Sequence, residues 1–251
     1  MKEKFTELVE IIYRLRKECP WDKEQTNDSI KGATIEEAYE VVHAIDAKDY
    51  DELKKELGDL LLHVVFHSVI AEESGHFALP DVIDEIKAKM IRRHPHVFGT
   101  TNVENSDEVR QNWEMIKMQE GRTSVIDGVP IQMPALLRAH RLQDKAAKVG
   151  FDWNHIDDVW GKVKEEIGEL EYAVNYGTKE KMEDEFGDVL FSLVNYARFV
   201  KVNPEDALRK TIAKFESRFH FIEEQLSKNG KKITEASLEE MDKYWNESKS
   251  L

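Results

Sequence analysis

The chain has 251 residues, 50 of them Asp or Glu and 36 Lys or Arg, giving a formal net charge of −14 at pH 7. That balance excludes a protein whose main business is a nucleic-acid polymer, because a phosphate backbone demands a basic face. A small anionic ligand stays admissible where metal ions stand between carboxylates and phosphates.

The N-terminus, Met1-Lys2-Glu3-Lys4, opens a charged amphipathic stretch without an apolar signal core. Cys19 is the only cysteine, which excludes an intramolecular disulfide and a cysteine-based zinc site; it reads as a packed small apolar residue. No proline lies between Asp22 and Leu79, or between Ala135 and Asn203, and such stretches suit long helices. Apolar residues within them recur at three and four: Ile35, Ala38, Val41, Val42 and Ile45, then Val163, Ile167, Leu170 and Val174. The longest apolar run, Leu60–Phe66, is broken by His63 and falls far short of a membrane span. Turn signals stand at Asp46–Asp49, Asn175–Gly177 and Asn229-Gly230. The pattern predicts an all-α, soluble, cytoplasmic protein. Gly121, Gly128, Pro130 and Pro134 mark residues 121–134 as a linker between modules at 1–120 and 135–251.

The two sides repeat each other. Glu36, Glu37, Glu40, Glu56, Gly58 and Asp59 match Glu165, Glu166, Glu169, Glu185, Gly187 and Asp188 without a gap, at an offset of 129 residues. Farther on, Lys89 and Arg93 match Lys214 and Arg218 at an offset of 125, and Trp113 and Trp245 follow at comparable distances. The chain reads as a tandem repeat of one helical module.

On a helix, residues three apart share a face, so Glu166 and Glu169 project together, as do Glu185 and Asp188. The turn between them predicts an antiparallel αα-hairpin in which four carboxylates face one another. Glu37, Glu40, Glu56 and Asp59 repeat the arrangement. Such a set repels itself and calls for cations. Oxygen-only donors suit Mg²⁺, with Mn²⁺ as the alternative, rather than zinc. An isolated ExxE on a charged helix is ordinarily a solvated face. Here the pairs are interleaved with Phe186, Val189 and Leu190 and occur twice, which favours a metal site. A di-iron bundle would need Glu-x-x-His, which neither pair supplies. His63, replaced by Ser192 in the second half, and His67 read as packed or partly exposed core histidines. Lys214 and Arg218 offer a grip for phosphate oxygens. Trp245 offers a face for a base to stack on. Alone these three are ordinary surface or core residues, and their value rests on the acidic cluster.

Together these residues resemble the MazG family of nucleoside triphosphate pyrophosphohydrolases, within the all-α NTP pyrophosphatase superfamily. The resemblance covers nearly the whole chain. It rests on Cys19-Pro20-Trp21-Asp22-Lys23-Glu24-Gln25-Thr26, the doubled acidic modules, Arg92-Arg93-His94-Pro95-His96-Val97-Phe98, and Gly150-Phe151-Asp152-Trp153. Dimeric dUTPases and phosphoribosyl-ATP pyrophosphohydrolases share the acidic module, but the other stretches and the tandem layout favour MazG. The resemblance implies four-helix-bundle-like modules completed by dimerisation. It also implies Mg²⁺-dependent hydrolysis of NTPs and dNTPs to monophosphate and pyrophosphate, as nucleotide-pool housecleaning, by a cytoplasmic homodimer.

By the same resemblance the metal ligands carry over to Glu166, Glu169, Glu185 and Asp188, with Glu165 in a supporting catalytic role. Their N-terminal counterparts are Glu37, Glu40, Glu56 and Asp59. Nucleotide contacts carry over to Lys162 through Glu166, Lys181 through Asp184, Lys214, Arg218 and Trp245. A narrower dUTPase-like enzyme and a non-enzymatic module binding a protein through its acidic faces are the alternatives. Mapped back by 129, Lys162 becomes Ala33 and Lys181 becomes Glu52. The first half therefore keeps four candidate metal ligands without these two lysines, and the C-terminal module is expected to be the main hydrolase.

Overall fold

The structure, a computed structural model, describes residues 1–120 and 124–250. The described residues form helices and connecting turns, with no strand among them. The chain divides into two compact units, Met1–Trp113 and Glu114–Leu251. Residues 121–123 of the expected linker lie outside the described residues. No described helix is long and apolar enough to cross a membrane.

In the first unit, α1 (Lys2–Glu18), α2 (Pro20–Glu24), α3 (Asn27–Ala47), α4 (Tyr50–Glu73), α5 (Leu79–Arg93) and α6 (Pro95–Phe98) follow in order. α7 (Ser106–Gln119) carries the boundary between the units. α3 and α4 pack as an antiparallel hairpin joined by Lys48 and Asp49. Lys48 takes a left-handed conformation (φ 57°), and the Asp49 carboxylate accepts from the N–H groups of Asp51 and Glu52, both at 3.0 Å. That satisfies two of the N–H groups a helix start leaves unpaired. The core gathers Ile12 of α1, Ile30 of α3, Val65, Phe66, Val69 and Ile70 of α4, and Leu79 of α5.

The second unit contains α8 (Ala135–Ala147), α9 (Ile156–Tyr176), α10 (Lys179–Phe199), α11 (Pro204–Lys228), a 3₁₀ turn at Ile233–Glu235, and α12 (Leu238–Ser248). α9 and α10 form the second hairpin, and α8 packs on α10 and α11. Gly177 turns the corner where a Cβ would stand 2.7 Å from the Ala173 carbonyl oxygen, so the turn requires glycine. Thr178 then caps α10 by accepting from the Lys181 N–H at 3.3 Å. Val159, Val163, Val194, Ile222 and Leu226 are buried in this unit.

The repeat extends to these helices. α9 starts and stops 129 residues after α3, α8 ends 129 residues after α1, and α11 starts 125 residues after α5. A cation at the same step of the first helix is buried in both units. Arg16 donates to the carbonyls of Asp22 and Gln25 and pairs with Glu73, which ties the Cys19–Asp22 segment to α1 and α4. Its counterpart Lys145 donates to the carbonyls of Val125 and Asp127, each at 3.1 Å.

Candidate metal centre

In the second unit, Glu166 of α9 and Glu185 and Asp188 of α10 each offer an oxygen within 4.8 Å of the others. The hairpin produces this because the two helices run antiparallel and each turns the same acidic face inward. Glu185 is only 3% exposed and Glu166 7%, while Asp188 opens to solvent. Glu169, expected as a fourth ligand, is not in this triad. It lines the adjoining cleft of about 450 Å³ with Glu165, Gly168, Tyr172, Lys181 and Glu185.

Two lysines attend the cluster. The Lys162 ammonium lies 2.7 Å from both Glu165 and Glu166, and Lys181 pairs with Glu185. Both ammonium groups are raised above the ordinary lysine range. The causes are hydrogen bonds to Glu165 and Glu166 for Lys162, and for Lys181 the hydrogen bond and charge of Glu185, followed by Asp184 and Glu169. One oxygen of Glu185, Oε2, is buried and has no hydrogen-bond partner. A buried carboxylate oxygen left so costs free energy unless a cation or donor meets it.

The donor set fits a hard divalent cation. Mg²⁺ binds oxygens at about 2.1 Å, so two oxygens on one ion stand at most about 4.2 Å apart. A triad confined to 4.8 Å closes on such an ion with shifts of a few tenths of an ångström. Lone oxygen donors do not favour zinc, which prefers nitrogen and sulfur.

The first unit repeats the triad with Glu37, Glu56 and Asp59, again within 4.8 Å. Its electrostatics differ. Glu52 stands where the second unit has Lys181, and Ala33 where it has Lys162. Glu56, 6% exposed, is pushed up to about 7 by burial, then by hydrogen bonds with Glu40 and Glu52, then by their charges. Glu37 is also raised, by burial first and then by Glu40 and Asp59. Glu40 therefore meets the cluster through Glu56 rather than as a member of the triad.

A polar chain beside this triad escaped the sequence reading. His67 Nδ1 donates to Asn27 Oδ1 at 2.6 Å, which leaves its Nε2 to accept from the Thr34 hydroxyl at 2.8 Å. His63 Nδ1 meets the same hydroxyl at 3.1 Å, and His63 Nε2 faces Glu37 at 4.0 Å. These proton positions are assigned from the network. The histidines are half-buried, as expected for core residues, but they are bonded into the site's flank. Their partners in the second unit, Ile156, Val163, Ser192 and Tyr196, cannot rebuild the chain.

Arg218 and Trp245 belong to a second cluster, and Lys214 stands exposed one turn earlier on α11. α11 packs on α8, α12 and the 3₁₀ turn. The Arg218 guanidinium lies over the Trp245 ring at 5.4 Å and Phe215 stands 5.5 Å from it. This contact holds Arg218 by a cation–π interaction. Arg93 lies over Trp113 at 5.5 Å in the first unit, which carries the repeat into the aromatic anchors.

The description "MazG nucleotide pyrophosphohydrolase domain" matches residues 25–98 and 159–221, the segments that carry both triads. A curated Thermotoga maritima protein, "Nucleoside triphosphate pyrophosphohydrolase/pyrophosphatase MazG", is 45% identical over 98% of this chain and 95% of its own. The Escherichia coli K12 "Nucleoside triphosphate pyrophosphohydrolase" is 43% identical over 96% of this chain and 95% of its own. A solved "mazG-related protein" of Thermotoga maritima aligns with 45% of this chain and 98% of its own, at 26% identity and a TM-score of 0.41.

Proposed function

The chain belongs to the MazG nucleotide pyrophosphohydrolase family, and from that premise we propose that it hydrolyses nucleoside triphosphates to monophosphate and pyrophosphate. The observation that carries the reading is the triad of Glu166, Glu185 and Asp188, two of them buried, with the buried Glu185 Oε2 left without a hydrogen-bond partner. These residues would hold Mg²⁺, which when bound supplies charge neutralisation on the triphosphate and an activated water for attack at the α-phosphorus.

The remaining steps fall to the chain's own groups. Lys162 and Lys181, already raised and positioned beside carboxylates, offer their ammonium groups to phosphate oxygens once a nucleotide enters. Glu165 accepts from Lys162 at the rim of the cleft and orients that ammonium; Glu169, lining the same cleft, completes the acidic wall. Asp184 lends its charge to Lys181. Lys214 and Arg218 add a further phosphate grip, with Trp245 orienting Arg218. The N-terminal triad of Glu37, Glu56 and Asp59, with Glu40 bonded to Glu56, has Ala33 and Glu52 where the second has Lys162 and Lys181, and so lacks these two ammonium groups for phosphate oxygens. The C-terminal module is then the main hydrolase.

The protein acts as a cytoplasmic homodimer in this reading. Support comes from apolar side chains left exposed at matching steps of both hairpins: Leu57, Leu61 and Val64 in one, Phe186, Leu190 and Leu193 in the other. A large exposed apolar patch marks an interface.

A panel of canonical and modified NTPs and dNTPs with Mg²⁺, read for pyrophosphate against orthophosphate, tests the proposal. Pyrophosphate release across several bases is the expected result, and turnover of dUTP alone would narrow it. Orthophosphate as the sole direct product, or no turnover with any nucleotide, would overturn it.

A further inference from the structure

The flank of the first triad carries a nitrogen donor that the second lacks. Glu56, Asp59 and His63 recur at three and four on α4 and share one face, with Glu37 of α3 opposite. Glu37 belongs to the triad and also faces His63. Its Oε1 stands 4.0 Å from the imidazole Nε2, and the His63 side chain is only 13% exposed. That gap is too long for a hydrogen bond. It matches the span of one ion, since two donors about 2.1 Å from a shared metal stand at most about 4.2 Å apart.

The polar chain behind His63 decides which of its nitrogens is bare. Asn27 Oδ1 accepts from His67 Nδ1 at 2.6 Å. His67 Nε2 then accepts from the Thr34 hydroxyl at 2.8 Å, a closer acceptor than the Ile30 carbonyl at 3.2 Å. With its one proton committed, the Thr34 oxygen can only accept from His63 Nδ1, at 3.1 Å. The His63 proton therefore sits on Nδ1, and the Nε2 lone pair is left on the side of Glu37. A metal-ligating histidine is held in this way, by a partner on its other nitrogen that fixes tautomer and ring orientation.

The second unit keeps none of this. Asn27, Thr34, His63 and His67 become Ile156, Val163, Ser192 and Tyr196, and the Ser192 hydroxyl turns back to the Val189 carbonyl of its own helix at 2.9 Å. Lys162 and Lys181, which pair with carboxylates of the second triad, are replaced in the first by Ala33 and Glu52, so no ammonium competes there for an incoming cation.

We propose that His63 Nε2 is a metal ligand alongside Glu37, Glu56 and Asp59, and that this mixed nitrogen–oxygen set holds a divalent first-row transition ion. The all-oxygen set of the second unit suits Mg²⁺. An imidazole shifts the preference toward transition metals, which bind nitrogen more strongly. Asn27, His67 and Thr34 are positioning residues that present the Nε2 lone pair.

The test uses untagged, metal-free full-length protein without nucleotide, loaded with Mn²⁺ for electron spin-echo spectroscopy and titrated with Co²⁺ and Mg²⁺ by calorimetry. Wild type should show modulation from a directly bound nitrogen, and His63→Ser, which installs the second unit's residue, should abolish it. Co²⁺ affinity at one of two sites should fall at least about 10-fold in His63→Ser, because even an outer partner of a metal is worth about 10–100-fold. Mg²⁺ affinity should stay within about 2-fold, since Mg²⁺ prefers oxygen donors. Thr34→Val should weaken Co²⁺ about 10-fold while keeping the nitrogen signal. Absence of that signal in wild type, or its survival in His63→Ser, overturns the assignment. So does Co²⁺ affinity unmoved in both variants, or a loss of Mg²⁺ affinity equal to that of Co²⁺, which would mark general damage to the hairpin. Should His63→Ser not fold, the wild-type spectrum and the Thr34→Val titrations decide by the same criteria. Turnover enters none of these readouts, so the nucleotide reading of the second unit stands or falls separately.

Discussion

Glu185→Gln is the sharpest perturbation of the metal centre, because it keeps the shape of a side chain only 3% exposed and removes its charge. In wild type without metal, Glu185 satisfies one oxygen through Lys181 and leaves Oε2 unpartnered. The variant exchanges a buried charge for a neutral amide, so in EDTA its melting temperature should equal or exceed that of wild type. With Mg²⁺ at 100 times its dissociation constant the order reverses. Ligand binding to the folded state alone then contributes about 2.7 kcal/mol, and a chain of this length shifts by about 2–4 °C per kcal/mol. Wild type should gain roughly 5–10 °C and the variant less than a third of that. Turnover should fall by at least about 100-fold, the upper end of what loss of an outer partner of a metal costs. Glu56→Gln, measured alongside, should stay within about 3-fold of wild type in turnover. The assays are differential scanning fluorimetry with and without Mg²⁺, and pyrophosphate release. An undiminished Mg²⁺ shift in Glu185→Gln refutes the metal assignment; equal losses from the two variants refute the asymmetry of the modules.

Two further outcomes follow from the electrostatics. Lys162→Met removes the ammonium 2.7 Å from Glu165 and Glu166 and should raise KM about 10-fold, in line with one charge-assisted contact, while leaving the Mg²⁺-induced shift intact or larger; a collapsed shift with KM unmoved would place Lys162 in the metal site instead. A carboxyl raised from 4.5 to about 7 stabilises the fold below its unfolded value and loses that contribution as pH climbs through 7, so in EDTA wild-type stability should fall between pH 5 and 8, and Glu56→Gln should flatten the fall; an identical slope in urea titrations of the two proteins would show that Glu56 does not drive it.

Much of this was legible in the sequence, and for a definite reason. Helical periodicity and an ungapped offset are properties of residue spacing alone, so the two hairpins, their turns and the inward acidic face could be read directly. Which three of four carboxylates converge could not. Glu169 shares a face with Glu166, but it sits a turn nearer the hairpin's end and faces the cleft, and that depends on how α9 crosses α10. Lys162 and Lys181 were expected as phosphate ligands; their spacings of three and four to Glu165, Glu166 and Glu185 would also have flagged the ion pairs. The Asn27–His67–Thr34–His63 chain joins two helices at separations of 29 to 40 residues, and no local pattern announces it. Arg16 and Lys145 had a usable signal, a cation standing in the apolar stripe of an otherwise amphipathic helix. Trp245 is expected to offer its face to a base; that its ring also stands 5.4 Å from Arg218 and 5.5 Å from Phe215 depends on how α12 packs on α11, which spacing alone does not give.

The pattern of divergence between the halves bears on what each half does. Positions that build the module are kept in kind: a buried cation near the end of the first helix, the hairpin with its capped turn, the triad, and the arginine laid over a tryptophan. Among the many exchanges, Ala33 for Lys162 and Glu52 for Lys181 fall beside the carboxylates, and Asn27 for Ile156, Thr34 for Val163, His63 for Ser192 and His67 for Tyr196 fall on the hairpin's flank. Around the triads themselves the two sites differ in charge. The second has two ammonium groups beside its triad, which suits a phosphate-bearing ligand. The first has a carboxylate, Glu52, and an alanine, Ala33, at the two lysine positions, which disfavours the same ligand on charge. Its triad of Glu37, Glu56 and Asp59 nevertheless stands in the α3–α4 hairpin as Glu166, Glu185 and Asp188 stand in α9–α10, so the hairpin geometry that gathers three carboxylates does not depend on the two lysines.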